Sequence, residues 1–464
     1  MAERITPDIC VIGGGSGAAS LAMAAAAFGV PVAMVARRAR DGHRGRVASL
    51  LAAAKRAAAV RTGAPFGVTT GAINVDFAKV RAHVQRVADA VAPNEASARL
   101  AGFGIRVIEG DAAFKDRRTL MAGDAIEICA RRFVIATGST PALPQIPGLD
   151  QGPYLTSETV FDLAELPEHL IVIGAGSAGL EMAQAFRRLG SAVTVLDAAR
   201  PLAGDDAECA AIVVDQLARE GAVIRSEVTI ARIEYARGKV QAIIDGGDNV
   251  EGTQLLVAAG RKPALDGLNL AAAGIVSGDS GIRVNKRLRT SNKRVYAIGD
   301  VVGQPHAAAY HANLALRNVL WRSRVKMQGS VVPRLILTDP ELAQVGMNEA
   351  EARQHGIKFV ITRWPYNDND RAQAERETRG HIKVITSTKG KILGAAIVGA
   401  QAGELIASWA LAVAQGLNIG AITDVILPSP TLSELGKSAT LGFFMPRLTS
   451  PWVRRIIAGL RIFG

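Results

Sequence analysis

The sequence predicts an α/β protein with two Rossmann-like dinucleotide-binding domains. Three observations carry that expectation. Gly13-Gly14-Gly15-Ser16-Gly17-Ala18 follows the apolar run Ile9-Cys10-Val11-Ile12 and opens an Ala-rich helical segment. Far along the chain, Leu170-Ile171-Val172-Ile173 runs into Gly174-Ala175-Gly176-Ser177-Ala178-Gly179 and a second amphipathic segment. Each copy then passes through a glycine, Gly29 or Gly190, into another apolar run, Pro31 to Val35 or Ala192 to Leu196.

This is the strand–turn–helix of a dinucleotide site. The first glycine permits a tight turn. The second lets a pyrophosphate approach the backbone, and the third, or a small alanine, lets helix and strand pack closely. Unpaired N–H groups and the helix dipole then face the phosphates. One such motif is weak; two, each between strand and helix, point to two bound dinucleotides. In the second copy Asp197 stands 23 residues after Gly174, where an acid accepts from both ribose hydroxyls and repels a 2′-phosphate. NADH is therefore favoured over NADPH, although Arg200 lies nearby. The equivalent position of the first copy is Ala36. Losing a charge-assisted hydrogen bond there costs roughly 1.5–3 kcal/mol, on the order of 10- to 150-fold in affinity.

Composition limits the alternatives. The chain has 464 residues, 49% hydrophobic and 21% charged, as expected of a multidomain globular protein with ample core. A net charge of +12 attracts anions, but no zinc-finger spacing, RNA-binding signature or basic heptad helix supports nucleic acid as a partner. The three cysteines, Cys10, Cys129 and Cys209, show neither CxxC nor CxxxxC spacing. A disulfide framework is not expected, which fits a reducing, cytoplasmic setting. Cys10 and Cys129 read as inert thiols buried in strands. Seven scattered histidines give no metal-ligand spacing, so no metal site is expected. No signal peptide or bilayer-spanning run is expected either.

Further segments carry a family resemblance. Phe133-Val134-Ile135-Ala136-Thr137-Gly138-Ser139 resembles a second flavin motif, at a crossing between domains. Val257-Ala258-Ala259-Gly260-Arg261-Lys262-Pro263 resembles the matching end of a nicotinamide domain. The stretch from Thr290 to Asp300 resembles a third flavin motif, whose closing acid binds the ribityl chain. Thr338-Asp339-Pro340-Glu341, Asn369-Asp370-Arg371-Ala372 and Ala402-Gly403-Glu404 resemble parts of a dimerisation domain. Together these are similar to the class I pyridine nucleotide–disulfide oxidoreductases, over essentially residues 5 to 445. The resemblance implies FAD in the first domain, NAD(P)H in the second and a homodimer through a C-terminal α+β domain. Gly13, Gly15 and Asp300 would hold FAD, and Gly174, Gly176, Gly179 and Asp197 would hold NADH. Gly17, Ala18, Ala112, Thr137, Gly138, Glu181 and Gly260 are further cofactor-binding candidates. The implied domains are a flavin domain at 1–150 and 265–330, a nicotinamide domain at 151–264, a dimerisation domain at 331–446 and a basic tail at 447–464.

The departures from that family shape the functional expectation. Its CxxxxC segment is replaced by the shorter, cysteine-free stretch from Ala39 to Ser49, with the family helix resuming at Leu50. No dithiol can relay electrons to a disulfide. The lysine that pairs with the Glu181 position beside the flavin is missing, leaving Glu181 partnerless or paired with a local arginine. Ser429 stands where the family has its acid–base histidine, and a hydroxyl has no useful proton affinity near neutrality. Glu434 is expected to bond locally. The loop from Gly299 to His306 is slightly short. His306 and His311 could tune a flavin, or simply cap and pack. The basic run Arg37, Arg38, Arg40, Arg44, Arg46, Lys55 and Arg56 reads as solvated surface, or as an attractor of anions.

The leading expectation is an FAD-dependent NAD(P)H oxidoreductase that passes electrons to a small non-disulfide acceptor such as a quinone, with no catalytic side chain singled out. The alternatives are a non-catalytic dinucleotide-binding protein and a conventional disulfide reductase. A tail helix announced by Ser450-Pro451 carries Val453, Ile456, Ile457 and Leu460 in one stripe and Arg454, Arg455 and Arg461 around it. It either packs on its own domain or makes peripheral contact with the inner face of an anionic membrane.

Overall fold

The structure, a computed structural model, describes residues 3–37, 43–94, 97–304, 306–321 and 323–462. The elements that carry the argument begin with β1 (Ile9–Ile12), α1 (Ser16–Ala27), β2 (Val32–Ala36), α2 (His43–Arg61), β3 (Arg106–Glu109) and β4 (Arg132–Ile135). Next come β5 (His169–Ile173), α3 (Ser177–Leu189), β6 (Ala192–Leu196), α4 (Ala207–Arg219), β7 (Val223–Arg225), β8 (Val295–Ala297) and α5 (Ala308–Leu320). The last are β9 (Arg334–Ile336), β10 (Glu341–Gly346), β11 (Phe359–Pro365), β12 (His381–Ser387), β13 (Ile392–Gly399), α6 (Ala402–Gln415), α7 (Glu434–Leu448) and α8 (Pro451–Leu460). They fall into two compact units. One comprises Met1–Ile146, Pro153–Leu166 and Leu256–Gly329; the other comprises Pro147–Gly152, Pro167–Leu255 and Ser330–Gly464.

The first unit is organised by a parallel sheet in the order β8-β4-β1-β2-β3. Its central strands β1 and β2 read as continuous apolar runs because both faces are covered. Alternation then sorts each strand between two cores. Ile9 and Val11 pack with Met34, Val134 and the α1 alanines on one face; Cys10 and Ile12 pack with Val35, Phe133 and Phe114 on the other. Cys10 is fully buried, and desolvation pushes its thiol far above the ordinary range, as an inert core residue requires. Cys129 departs from expectation: it lies just past the strand Ile126–Ile128, only half-buried, and accepts from Arg4 at 3.4 Å. Its neighbours Ile128 and Ala130 both enter the core, so alternation turns the thiol to the other face.

In the second unit β5, β6 and β7 run parallel, with α3 and α4 as their helices. Ile230–Ala236, Lys239–Ile244 and Val250–Gly252 form an antiparallel meander beyond them. A C-terminal antiparallel sheet, in the order β9-β10-β13-β12-β11, packs with α6 and α7 over a core of Tyr366, Ile397, Ile406, Trp409 and Phe443. Two cations buried in this unit are paired with acids. Arg188 meets Glu220 at 2.6 Å and Asp339 at 2.8 Å, and Lys383 meets Asp206 at 2.9 Å and Glu349 at 2.7 Å. Among the described residues no helix is long and apolar enough to cross a membrane.

Candidate functional site: two nucleotide cradles

The first cradle is set by three glycines with three different jobs. Gly13 turns the chain at φ 126° after β1, and its N–H donates to Val35 O at 2.8 Å. A β-carbon there would stand 2.2 Å from Ala136 O, so the turn must be glycine. Gly17 brings α1 against α5, where a β-carbon would come within 2.9 Å of that of Ala308. Ala18 beside it is buried. Gly15 differs: it is the N-cap of α1, has ordinary backbone angles, and a β-carbon on it would meet nothing. No side chain caps this helix start, and its first turn holds no acid. Donors and space are thus left where a pyrophosphate would bind.

The second cradle repeats the design. Gly174 turns at φ 107° and donates to Leu196 O at 2.8 Å; Gly176 caps α3 without a side-chain bond and faces open space; Gly179 is buried in the helix. Asp197 closes β6 and binds the loop itself. Its Oδ2 accepts from Ala175 N–H at 2.5 Å and its Oδ1 from Ala199 N–H at 2.7 Å. The carboxylate is therefore fixed beside the glycine turn.

The matching corner of the first cradle is built otherwise. Ala36 ends β2 without an acid, and the next residue, Arg37, is ion-paired with Asp111 at the surface. Asp111 directly precedes the half-buried strand residue Ala112. Residues 38–42, which hold Arg38, Arg40 and part of the cysteine-free stretch, lie outside the described residues, as does Pro305 of the shortened loop. Helix α2 begins at His43, seven residues before the expected resumption at Leu50, so the stretch up to Ser49 is already helical. Its composition, rich in alanine and arginine, suits a helix.

A third cluster joins the remaining candidates of the first unit. Thr137 Oγ1 donates to Ala264 O at 2.7 Å, while Gly138 and Gly260 adopt φ of 74° and 113°. Ser139 Oγ donates to Asp300 Oδ2 at 2.7 Å and accepts from Arg261 Nε at 2.8 Å. Arg261 also reaches Glu158 at 2.9 Å. Asp300 sits in the short helix Gly299–Val302. His311, fully buried on α5, accepts Gly299 N–H through Nδ1 at 3.1 Å. Burial pushes its pKa down to about 4, so the ring is neutral with Nδ1 unprotonated. His311 thus fixes the backbone before Asp300, the packing role weighed against flavin tuning; His306 is exposed in the turn before α5. Sequence reasoning quoted Ser139 and Arg261 inside motifs but missed their joint hold on Asp300. The only linear signal was their place in the two segments that meet as an antiparallel pair, Ser139–Pro141 with Arg261–Pro263.

In the second unit Glu181 lies on α3, 9% exposed. Among the described residues no arginine meets it: its Oε1 accepts Leu337 N–H at 2.8 Å, and burial pushes its pKa up to about 7. Glu434 accepts Thr431 N–H at 2.8 Å, the expected local bond, and Ser429 is exposed. All three cysteines are free, and the described residues hold no cluster of metal-ligating side chains.

Residues 7–320 match the pyridine nucleotide-disulphide oxidoreductase family, and residues 332–440 match its dimerisation domain. Mercuric reductase of Bacillus cereus is 35% identical, with 94% of this chain and 71% of that protein covered. Dihydrolipoyl dehydrogenase of Chlamydia muridarum is 31% identical over 94% of this chain and 96% of that protein. Among solved structures, the HOCl-induced flavoprotein disulfide reductase RclA from Escherichia coli is similar with a TM-score of 0.82 and 26% identity, covering 94% of this chain and 99% of its own. With both cradles in place and the match running through the dimerisation domain, the chain belongs to the class I pyridine nucleotide–disulfide oxidoreductase family, whose members are FAD-dependent NAD(P)H oxidoreductases.

Proposed function

We propose that the protein reduces a small non-thiol acceptor, a quinone by preference, with NADH as donor and FAD as carrier. The overall exchange balances as NADH, a proton and quinone giving NAD⁺ and the hydroquinone. The observation that supports it most is the contrast between two open phosphate cradles, at Gly15 and Gly176, and cysteines that offer no dithiol. Bound flavin would accept a hydride from the nicotinamide and release electrons singly or in pairs.

The chain's own contribution is orientation. The uncapped N-termini of α1 and α3 would take the two pyrophosphates, and Gly13 and Gly174 hold the turns that present them. Asp300, steadied by Ser139, would hold the ribityl chain. Asp197 would receive the ribose hydroxyls, and its fixed negative charge favours NADH over NADPH. The assembly is proposed to be a homodimer through the C-terminal sheet domain.

The test is anaerobic titration of the purified protein with NADH. A yellow protein that bleaches, and recovers its colour on adding quinone but not lipoamide or glutathione disulfide, supports the reading. Ala36 favours a second reading, a non-catalytic dinucleotide-binding protein; a colourless protein that still binds NADH would establish that one. Steady turnover of a disulfide would overturn both.

A further inference from the structure

The helix α8 is capped by Ser450, whose Oγ accepts Val453 N–H at 3.5 Å, with Pro451 in its first turn. At 3.6 residues per turn, Trp452, Val453, Ile456, Ile457 and Leu460 fall within an arc of about 140°. Arg461 and Arg454 border one edge of that arc and Arg455 the other. A helix packed on its own domain would bury the apolar arc. Here no residue of α8 is buried: Trp452 is 70% exposed, Leu460 67%, Ile457 50% and Ile456 40%. Charge adds a second, independent constraint. From Leu435 to the last residue the sequence holds Lys437, Arg447, Arg454, Arg455 and Arg461 and no aspartate or glutamate.

We propose that α8 docks the protein on an anionic lipid bilayer. An apolar arc flanked by arginines matches such a surface on both counts. Trp452 and the aliphatic side chains enter the headgroup–acyl boundary, while the arginines extend to lipid phosphates. Pairing with a second copy fits less well, because a two-fold contact through this face would bring like-charged arginines together with no acid between them. The docking does not depend on which acceptor the flavin serves, and its test reads binding rather than turnover.

The full-length protein is floated with vesicles of phosphatidylcholine alone or mixed with phosphatidylglycerol, at low and high salt. Co-flotation only with the mixed vesicles, reversed by salt, is expected. The triple variant R454Q/R455Q/R461Q should bind on the order of 100-fold more weakly, at roughly fivefold per arginine. I456S/I457S should lose flotation while keeping the wild-type sedimentation coefficient and thermal transition. Absence of flotation, equal binding to neutral vesicles, or equal binding by the variants would overturn the proposal. A change of oligomeric state in I456S/I457S, without wild-type vesicle binding, would assign the face to a second copy instead.

Discussion

The hydroxyl of Ser139 links Arg261 to Asp300, accepting from one at 2.8 Å and donating to the other at 2.7 Å. Asp300 is thereby held before any ligand arrives. Ser139→Ala leaves its carboxylate without that donor, and a hydrogen bond to a charged group contributes about 1.5–3 kcal/mol. We expect at least a tenfold weaker retention of FAD, read from the flavin-to-protein absorbance ratio after dialysis. Unchanged flavin content would show that Asp300 is positioned by the backbone alone.

Gly13 and Gly15 should separate folding from binding. Gly13→Ala places a β-carbon against Ala136 O in a left-handed turn and should destabilise the first unit by about 2–4 kcal/mol. Gly15→Ala has room and ordinary angles, so its thermal transition should move by only a few degrees. Its methyl would occupy the space in front of the helix, and flavin should be lost. Equal flavin content in Gly15→Ala and wild type would remove the first cradle from the mechanism.

Ala36→Glu restores an acid at the end of β2. If the missing charge is what weakens the flavin site, the dissociation constant for FAD should fall by on the order of 10- to 150-fold in fluorescence titration. The neighbouring Arg37, already engaged with Asp111, leaves the new carboxylate free for ribose.

Glu181 should make stability fall as pH rises. Its ordinary pKa of 4.5 is pushed to about 7 by burial, so between those values the unfolded chain releases a proton that the folded one keeps. The stabilisation is complete below about 4.5 and lost above about 7, a difference of about 3 kcal/mol. Glu181→Gln can still accept Leu337 N–H and cannot ionise. Denaturant melts at pH 5 and pH 8 should show wild type losing stability against the variant; parallel pH profiles would mean that Glu181 ionises freely in the fold.

Much of the architecture was legible because its signals are local. Glycine spacing between an apolar strand and a helix marks a turn that requires glycine, at Gly13 and Gly174, and open space at the helix start, at Gly15 and Gly176, so both cradles could be read directly. Strands buried on both faces advertise themselves as unbroken apolar runs, as Ile9–Ile12 and Leu170–Ile173 do. The missing dithiol, the alanine at 36 and the serine at 429 were equally plain, since each is a residue type at a fixed place in the chain.

What needed the tertiary structure was every relationship between distant residues. Glu181 could have met an arginine; only the packed second unit gives it Leu337 N–H and the burial that raises its pKa. His311 became a backbone acceptor because α5 carries its ring to Gly299. Cys129 lies outside the core because its neighbours Ile128 and Ala130 take the inward positions. Periodicity fixed which side of α8 is apolar, but exposure, which depends on what the rest of the chain brings near, decided that this side faces outward. Sequence sets the conformational and chemical repertoire of each segment, whereas burial and pairing are properties of the assembled chain, and these determine charge, proton affinity and access.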